Sequence, residues 1–272
     1  MSNGRRIRAV AGWIQVVKNG ITAVLRRLLL AAQFLTTIPL PNLANVSQEE
    51  IRGSSMFFPL IGAALGIILW VVDTILRMVL PNLVSTSITL TLYTLVTGAL
   101  HLDGLMDTAD ALGSRKPRER ALEIMKDSRV GAMGVVAAVV IYAGKLTVLN
   151  SLPGNSFGIL VIPPVISRFT MVLAMKIAPS ARGTEGLAGL FAQKISRSTV
   201  ATAALISIVF SLWFNPLWLG AAVWLGCVLG AVFATTLFTR RFGGMTGDTY
   251  GALNEIVEWL GWVLGLALFL HK

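Results

Sequence analysis

Three aspartates, Asp103, Asp107 and Asp110, recur at i, i+4 and i+7 in the run His101-Leu-Asp-Gly-Leu-Met-Asp-Thr-Ala-Asp110. At about 100° per residue, a helix gathers them within an arc of roughly 60°. Like charges on one face repel, so the spacing asks for a counter-charge, either a bound cation or an Arg/Lys partner. Carboxylate oxygens are hard donors, and Mg²⁺ is ordinarily held by one or two of them with substrate phosphates completing the shell. The three residues are therefore candidate magnesium ligands. A plainer reading is a solvated acidic face balanced by Arg115, Arg118 and Arg120. The run follows directly on an apolar segment, where uncompensated charge is costly, and that favours the metal.

Two more polar segments carry candidate chemistry. The segment Arg118 to Gly131, with Leu122 and Met125 at helical spacing among charges, reads as a cytoplasmic amphipathic helix, and Lys126 and Arg129 are suited to phosphate oxygens, the arginine as a bidentate fork. Anchoring at the membrane edge would explain both basic residues, but not Asp127 between them. The run Phe242-Gly-Gly-Met-Thr-Gly-Asp-Thr-Tyr-Gly251 offers glycines at Gly243, Gly244 and Gly247 for close backbone approach. Its Thr246, Asp248 and Thr249 form a hydroxyl and carboxylate set at the opening of a helix, where amides bind phosphate. The Gly-Lys-Ser/Thr ending of a P-loop is missing.

Asp248 and Glu255 share a face if winding begins near Asp248, with Glu258 close by. Ionisable groups in an apolar helix mark a functional site by default, and the expected partner is a second cation or Arg168. For Arg168 the alternative is a structural ion pair. Lys145 and Asp73 are expected near the outer ends of their helices, snorkelling to water. His101 is a candidate general base beside the aspartates, or a hydrogen-bonding neighbour of them.

The elements that must position these groups are membrane helices. The chain of 272 residues is 55% hydrophobic and only 13% charged, with a mean hydropathy of +0.74, far too apolar for an ordinary soluble domain. Apolar runs predict spans at about 56–78, 84–100, 130–149, 157–176, 199–214, 217–238 and 253–270. The expected fold is thus an all-α polytopic integral membrane bundle of about seven transmembrane helices. Residues 21–40 open on Arg26 and Arg27, close on Pro39 and Pro41, and predict an interfacial or re-entrant segment.

Lys and Arg collect in one set of loops, including Arg5, Arg6, Arg8, Lys18, Arg52, Lys194, Arg240 and Arg241, while Arg77 and Lys272 stand on the other side. The N-terminus and the long polar loops are therefore expected on the cytoplasmic side of the membrane. The same bias explains the net charge of +10 without nucleic acid. Cys227 is the lone cysteine, so no disulfide framework is expected, and no cleaved signal peptide is read. One membrane domain covers 1–272, with an N-terminal segment to 55, an aspartate-rich loop over 101–129 and a glycine-rich loop over 239–252. Gly62 and Gly66 predict close helix packing.

Taken together, the chain resembles the cobalamin synthase family, the integral-membrane adenosylcobinamide-GDP ribazoletransferases. The resemblance rests on Phe34-Leu-Thr-Thr-Ile-Pro-Leu-Pro41, Phe58-Pro-Leu-Ile-Gly62, the run His101 to Asp110, Leu122 to Arg129, Ser167-Arg168, Glu185-Gly-Leu187 and Thr246-Gly-Asp-Thr249. It implies attack by the ribose 5′ oxygen, or 5′-phosphate, of α-ribazole on the diphosphate of adenosylcobinamide-GDP, with GMP released, and it implies Mg²⁺. By analogy Asp103, Asp107 and Asp110 would carry the metal, with Asp248 and Glu255 as further ligands. Lys126 and Arg129 would hold phosphate charge, and the Gly243–Gly251 loop and Arg168 would close on the GDP moiety. Partners implied are the two substrates and the bilayer, with a homo-oligomer or a complex with other cobalamin-assembly enzymes left open. Met245 stands where the family often has glutamine, and Ala111-Leu-Gly113 replaces a commoner glycine.

Other membrane enzymes hold metal-diphosphate on paired aspartate motifs, namely CDP-alcohol phosphotransferases and aspartate-rich prenyltransferases. The first needs Ala-Arg after Asp-Gly, whereas Asp103-Gly104 continues Leu-Met-Asp. A cation-coupled transporter would hold its carboxylates at the bilayer midplane rather than at one edge.

Overall fold

The computed structural model describes residues 20–152, 156–183, 189, 191, 195–213 and 217–270. Arg5, Arg6, Arg8, Lys18, the Glu185–Leu187 motif, Lys194 and Lys272 lie outside the described residues. The described chain is α-helical, its one β contact being an isolated parallel bridge between Ser180 and Met245. The helices run α1 (20–35), then α2 (Gln48–Ser54), α3 (Phe58–Leu76), α4 (Asn82–Val96), α5 (Leu100–Gly113) and α6 (Arg118–Ile124). There follow α7 (Ala132–Asn150), α8 (Phe157–Ile177), α9 (Arg197–Trp213), α10 (Leu217–Phe242) and α11 (Gly247–Leu270).

Five helical runs are long and apolar enough to cross a membrane, and six if the bent pair α4/α5 is one span. Residues Arg197–Leu212 form a shorter apolar helix. The expected span at 84–100 is the largest departure: α4 ends at Val96, and α5 leaves at 87° to it. The corner is built from two successive left-handed residues, Gly98 (φ 61°) and Ala99 (φ 54°). Gly98 adopts that conformation freely, whereas an alanine there is strained by about 1–2 kcal/mol. The N-terminal apolar segment is a helix only over 20–35, exposing Ile21, Val24 and Leu25 while burying Ala31 and Leu35.

The centre of the bundle is α8, buried along almost its whole length. Gly62 and Gly66 of α3 meet it backbone to backbone; a Cβ on Gly66 would stand 2.8 Å from Val161 Cα. On the opposite side Gly261 of α11 rests on Pro163, and Gly265 on Ile159. Pro164 has no N–H to give the Leu160 carbonyl four residues back, and that oxygen accepts from Trp262 Nε1 at 3.4 Å instead. The outer helices turn apolar stripes outward, as lipid requires: Val135, Val136, Val139 and Val140 on α7, and Leu225, Leu229, Phe233 and Leu237 on α10.

Cross-links between loops sort the helix ends. At one end, Thr37 N donates to Val96 O, Arg118 Nε to Phe242 O, and Met245 N to Pro179 O. At the other, Arg77 donates to Asp73 Oδ2 (2.6 Å), Thr86 Oγ1 (3.1 Å) and Leu149 O (3.2 Å). Asp73 is therefore buried and paired, not snorkelling. The first end carries the aspartates.

Candidate active site

The acidic face of α5 is set against the start of α11 by a contact between glycines. A Cβ on Gly104 would lie 2.7 Å from Asp248 O, and one on Gly251 3.1 Å from His101 O. With both positions lacking side chains, the helix backbones touch, and Asp103 and Asp107 are carried to the mouth of α11 beside Asp248. Gly104→Val would wedge the helices apart. We expect it to cost about 1–3 kcal/mol through overpacking and to remove most activity, measurable as thermal midpoint and turnover of the same preparation.

Asp107 lies on α5, past the corner and outside the five spans. Its carboxyl is pushed up to about 6, first by burial and then by the carboxylates of Asp103, Asp248 and Asp110, with Arg182 opposing. Arg182 reaches Asp248 Oδ2 at 3.3 Å and donates to Leu122 O at 3.2 Å. No motif or spacing in the sequence singles out this cation. The bridge that brings it there is the pair Ala181 N to Met245 O (2.9 Å) and Met245 N to Pro179 O (2.8 Å). Gly244 makes room for that bridge, since a Cβ there would stand 2.6 Å from Ala181 N. Gly243, at φ 77°, lies under the Arg118 guanidinium. Three carboxylates face one guanidinium, so the site has an excess of negative charge.

The other candidates are distributed differently. Both oxygens of Asp110 accept from the start of α7, from Gly131 N at 2.8 Å and Gly134 N at 2.7 Å. Asp110 thus caps α7 from a neighbouring helix, and a side chain on either glycine would displace it. Asp110→Ala should cost about 1–2 kcal/mol with magnesium affinity within about twofold of wild type, a contrast that a melt and a metal titration resolve together.

Thr246 and Thr249 cap α11 reciprocally, Thr246 N donating to Thr249 Oγ1 (2.7 Å) and Thr249 N to Thr246 Oγ1 (3.2 Å). Both are buried, so the hydroxyls foreseen for phosphate serve the helix start, which Gly247 opens. Met245, also buried, packs its sulfur 3.6 Å from Thr249 Oγ1.

Glu255 sits seven residues into α11 from Asp248, about 10 Å deeper at 1.5 Å per residue. There it bonds Lys145 Nζ at 2.7 Å, and Lys145 also bonds Glu258 Oε1 at 2.7 Å. Glu258 Oε2 accepts from Tyr93 OH at 2.6 Å and pairs with Arg168. Lys145 is therefore a buried partner, not a snorkelling one, and Arg168 is wholly buried in the bundle rather than at the nucleotide loop. Among the described residues no three or more His, Cys, Asp or Glu side chains are gathered closely enough to cage a metal by themselves. The five-carboxylate set thus divides into Asp103, Asp107 and Asp248 at the mouth, and Asp110 and Glu255 engaged elsewhere.

His101 is 3% exposed, its Nδ1 facing Asn254 Nδ2 at 3.1 Å. It is buried between α5 and α11, whereas Asp103 is exposed and Asp107 half-buried. Asp127 and Arg129 pair with each other on the surface, Arg129 Nη2 to Asp127 Oδ2 at 2.6 Å, and Lys126 is exposed next to them. The α6 segment borders the mouth: Leu122 O holds Arg182, and Met125 Sδ lies 3.8 Å from Thr246 Oγ1.

Residues 27–267 match the cobalamin-5-phosphate synthase family. The chain belongs to this family. A relative from Thermoanaerobacter pseudethanolicus, named adenosylcobinamide-GDP ribazoletransferase, is 39% identical over 243 residues, covering 86% of this chain and 94% of its own. Proteins of the same name from Desulforamulus reducens and Syntrophobacter fumaroxidans are 40% and 41% identical, covering 88% and 84% of this chain and 94% and 93% of theirs. No solved structure matches the chain. The aspartate run, the α6 segment and the glycine-rich loop all fall inside the matched residues, so the geometry above belongs to the part of the chain that carries the likeness.

Proposed function

We propose that the chain joins α-ribazole, or its 5′-phosphate, to adenosylcobinamide-GDP with release of GMP, the late nucleotide-loop step of cobalamin assembly. The reaction would be magnesium-dependent and placed at the cytoplasmic face of a prokaryotic inner membrane. The observation that carries the reading is the meeting of Asp103, Asp107 and Asp248 across the Gly104–Gly251 contact.

The residues suit the ion. Asp103 and Asp107 are hard donors partly open to solvent, and the raised Asp107 carboxyl marks a charge excess that a cation relieves. One or two carboxylates with substrate phosphates is a magnesium arrangement rather than a full protein cage. Bound there, magnesium would offset charge on the diphosphate as the bridging P–O bond breaks.

The chain's own groups orient the reaction. Arg182, steered by Leu122 O and Asp248, presents a guanidinium at the mouth, suited to the phosphate of the leaving GMP. The capped start of α11 directs its dipole to the same place. A new P–O bond forms from a ribose hydroxyl of α-ribazole, one that a 5′-phosphate leaves free, to the cobinamide-bearing phosphorus; the hydroxyl proton is lost to solvent and the bond to GMP breaks. In-line placement and charge neutralisation, not a covalent intermediate, are what such a transfer needs. With purified protein, α-ribazole and adenosylcobinamide-GDP, mass spectrometry should detect the joined cobamide in equal amount to GMP. Transfer from CDP-alcohols with no cobamide formed would favour the phosphotransferase reading instead.

A further inference from the structure

A cavity of about 490 Å³ opens between α1, α2 and the start of α9, and shares no lining residue with the aspartate site. We propose that it binds a phosphate monoester.

Two arginines face into it. Arg27 comes from α1, and its Nε is buried with no hydrogen-bond partner among the described residues. A guanidinium N–H denied both water and an acceptor is unfavourable, so the position calls for an acceptor. Room for the guanidinium comes from Gly53: a Cβ there would lie 2.9 Å from both Arg27 Cζ and Nε. Arg52 is the second arginine, oriented by bonds from Nε to Gln48 O (3.1 Å) and from Nη2 to Gln48 Oε1 (3.3 Å).

The opposite wall is a hydroxyl cluster. Ser196 Oγ accepts from Thr199 N at 3.0 Å and lies 2.8 Å from both Ser198 Oγ and Thr199 Oγ1. Glu49 also lines the cavity, so the formal charge of its walls is +1 from two guanidiniums and one carboxylate. Forked guanidiniums opposite several hydroxyl donors fit a tetrahedral group with three acceptor oxygens better than a flat carboxylate. The volume lies within the usual range for a small-molecule site and leaves space for an organic substituent, with Met56 supplying an apolar wall. Such a phosphate has two sources, a soluble monoester or the headgroup of an anionic lipid reaching in beside the apolar face of α1.

The test uses the full chain in phosphatidylcholine nanodiscs, with binding of glycerol phosphate followed by calorimetry at constant ionic strength in chloride. A parallel arm measures phosphatidic acid, the lipid whose headgroup is a phosphate monoester, retained through purification by mass spectrometry. Saturable glycerol phosphate binding, weakened at least about tenfold in the Arg27→Gln/Arg52→Gln double variant, identifies the soluble source. Retention of phosphatidic acid by wild type, lost in the double variant, identifies the lipid. Ser198→Glu guards against misfolding: it adds a carboxylate at the cavity wall in the first turn of α9, where acidic residues favour the helix. It should abolish binding while preserving the melting temperature. If neither ligand binds, or binding survives both sets of substitutions, the proposal is wrong.

Discussion

Asp103→Ala and Asp107→Ala should each reduce cobamide formation by about a thousandfold or more, the scale of losing a principal electrostatic stabiliser of a developing phosphoryl charge. Neither change should remove the protein from the membrane. Asp103 is exposed and Asp107 half-buried, and neither makes a hydrogen bond or ion pair to another element among the described residues, so their loss opens no cavity in the core. Asp107→Asn should even raise the melting temperature of the metal-free protein. The sign follows from linkage: the Asp107 carboxyl titrates near 6 in the fold against 3.8 ordinarily. Its contribution to stability is present in full below about pH 4 and is lost as pH rises through 6, leaving a penalty at pH 7. Removing the charge removes the penalty, whereas a structural carboxylate would behave in the opposite way. A variant inactive and less stable at pH 7 would count against the metal role.

Glu258→Gln should have the largest effect on stability. Glu258 is buried, with one oxygen on Lys145 and the other shared by Tyr93 and Arg168. Without its charge, Lys145 and Arg168 face Glu255 alone, and an unmatched buried cation costs about 3–5 kcal/mol. The melting temperature in detergent should fall by roughly 10 °C. Adding Lys145→Met restores neutrality and should recover part of the loss. A fall in activity with an unchanged melt would instead place Glu258 in the chemistry.

These two predictions separate what the chain makes legible from what it hides. The helical bundle follows from apolar runs, because a bilayer leaves the backbone few other ways to satisfy its polar groups. The α5 face was legible from the i, i+4 spacing of Asp103 and Asp107, and the α3–α8 packing from Gly62 and Gly66. The pairing of Arg168 with Glu258 was open to reasoning, since buried charges need partners. Lys145 was misjudged because hydropathy does not say which side of a helix faces the bundle. Asp110 shares the spacing of its neighbours, yet its job depends on Gly131 and Gly134 of another helix, which no periodicity in α5 can show. The α4–α5 corner was hidden because a lone Gly98 in an apolar run is a weak signal and its partner in the turn, Ala99, has no turn preference. The reciprocal Thr246/Thr249 cap was readable in principle, as two hydroxyl residues three apart at a helix start.

The proposed reaction requires a magnesium-bearing diphosphate at the Asp103, Asp107 and Asp248 mouth. Its most direct test is GMP release by the purified wild-type protein from adenosylcobinamide-GDP, with α-ribazole and magnesium each supplied or withheld. GMP is predicted only when both are present, with restoration by magnesium after chelation. GMP released at an undiminished rate in the presence of chelator would contradict it.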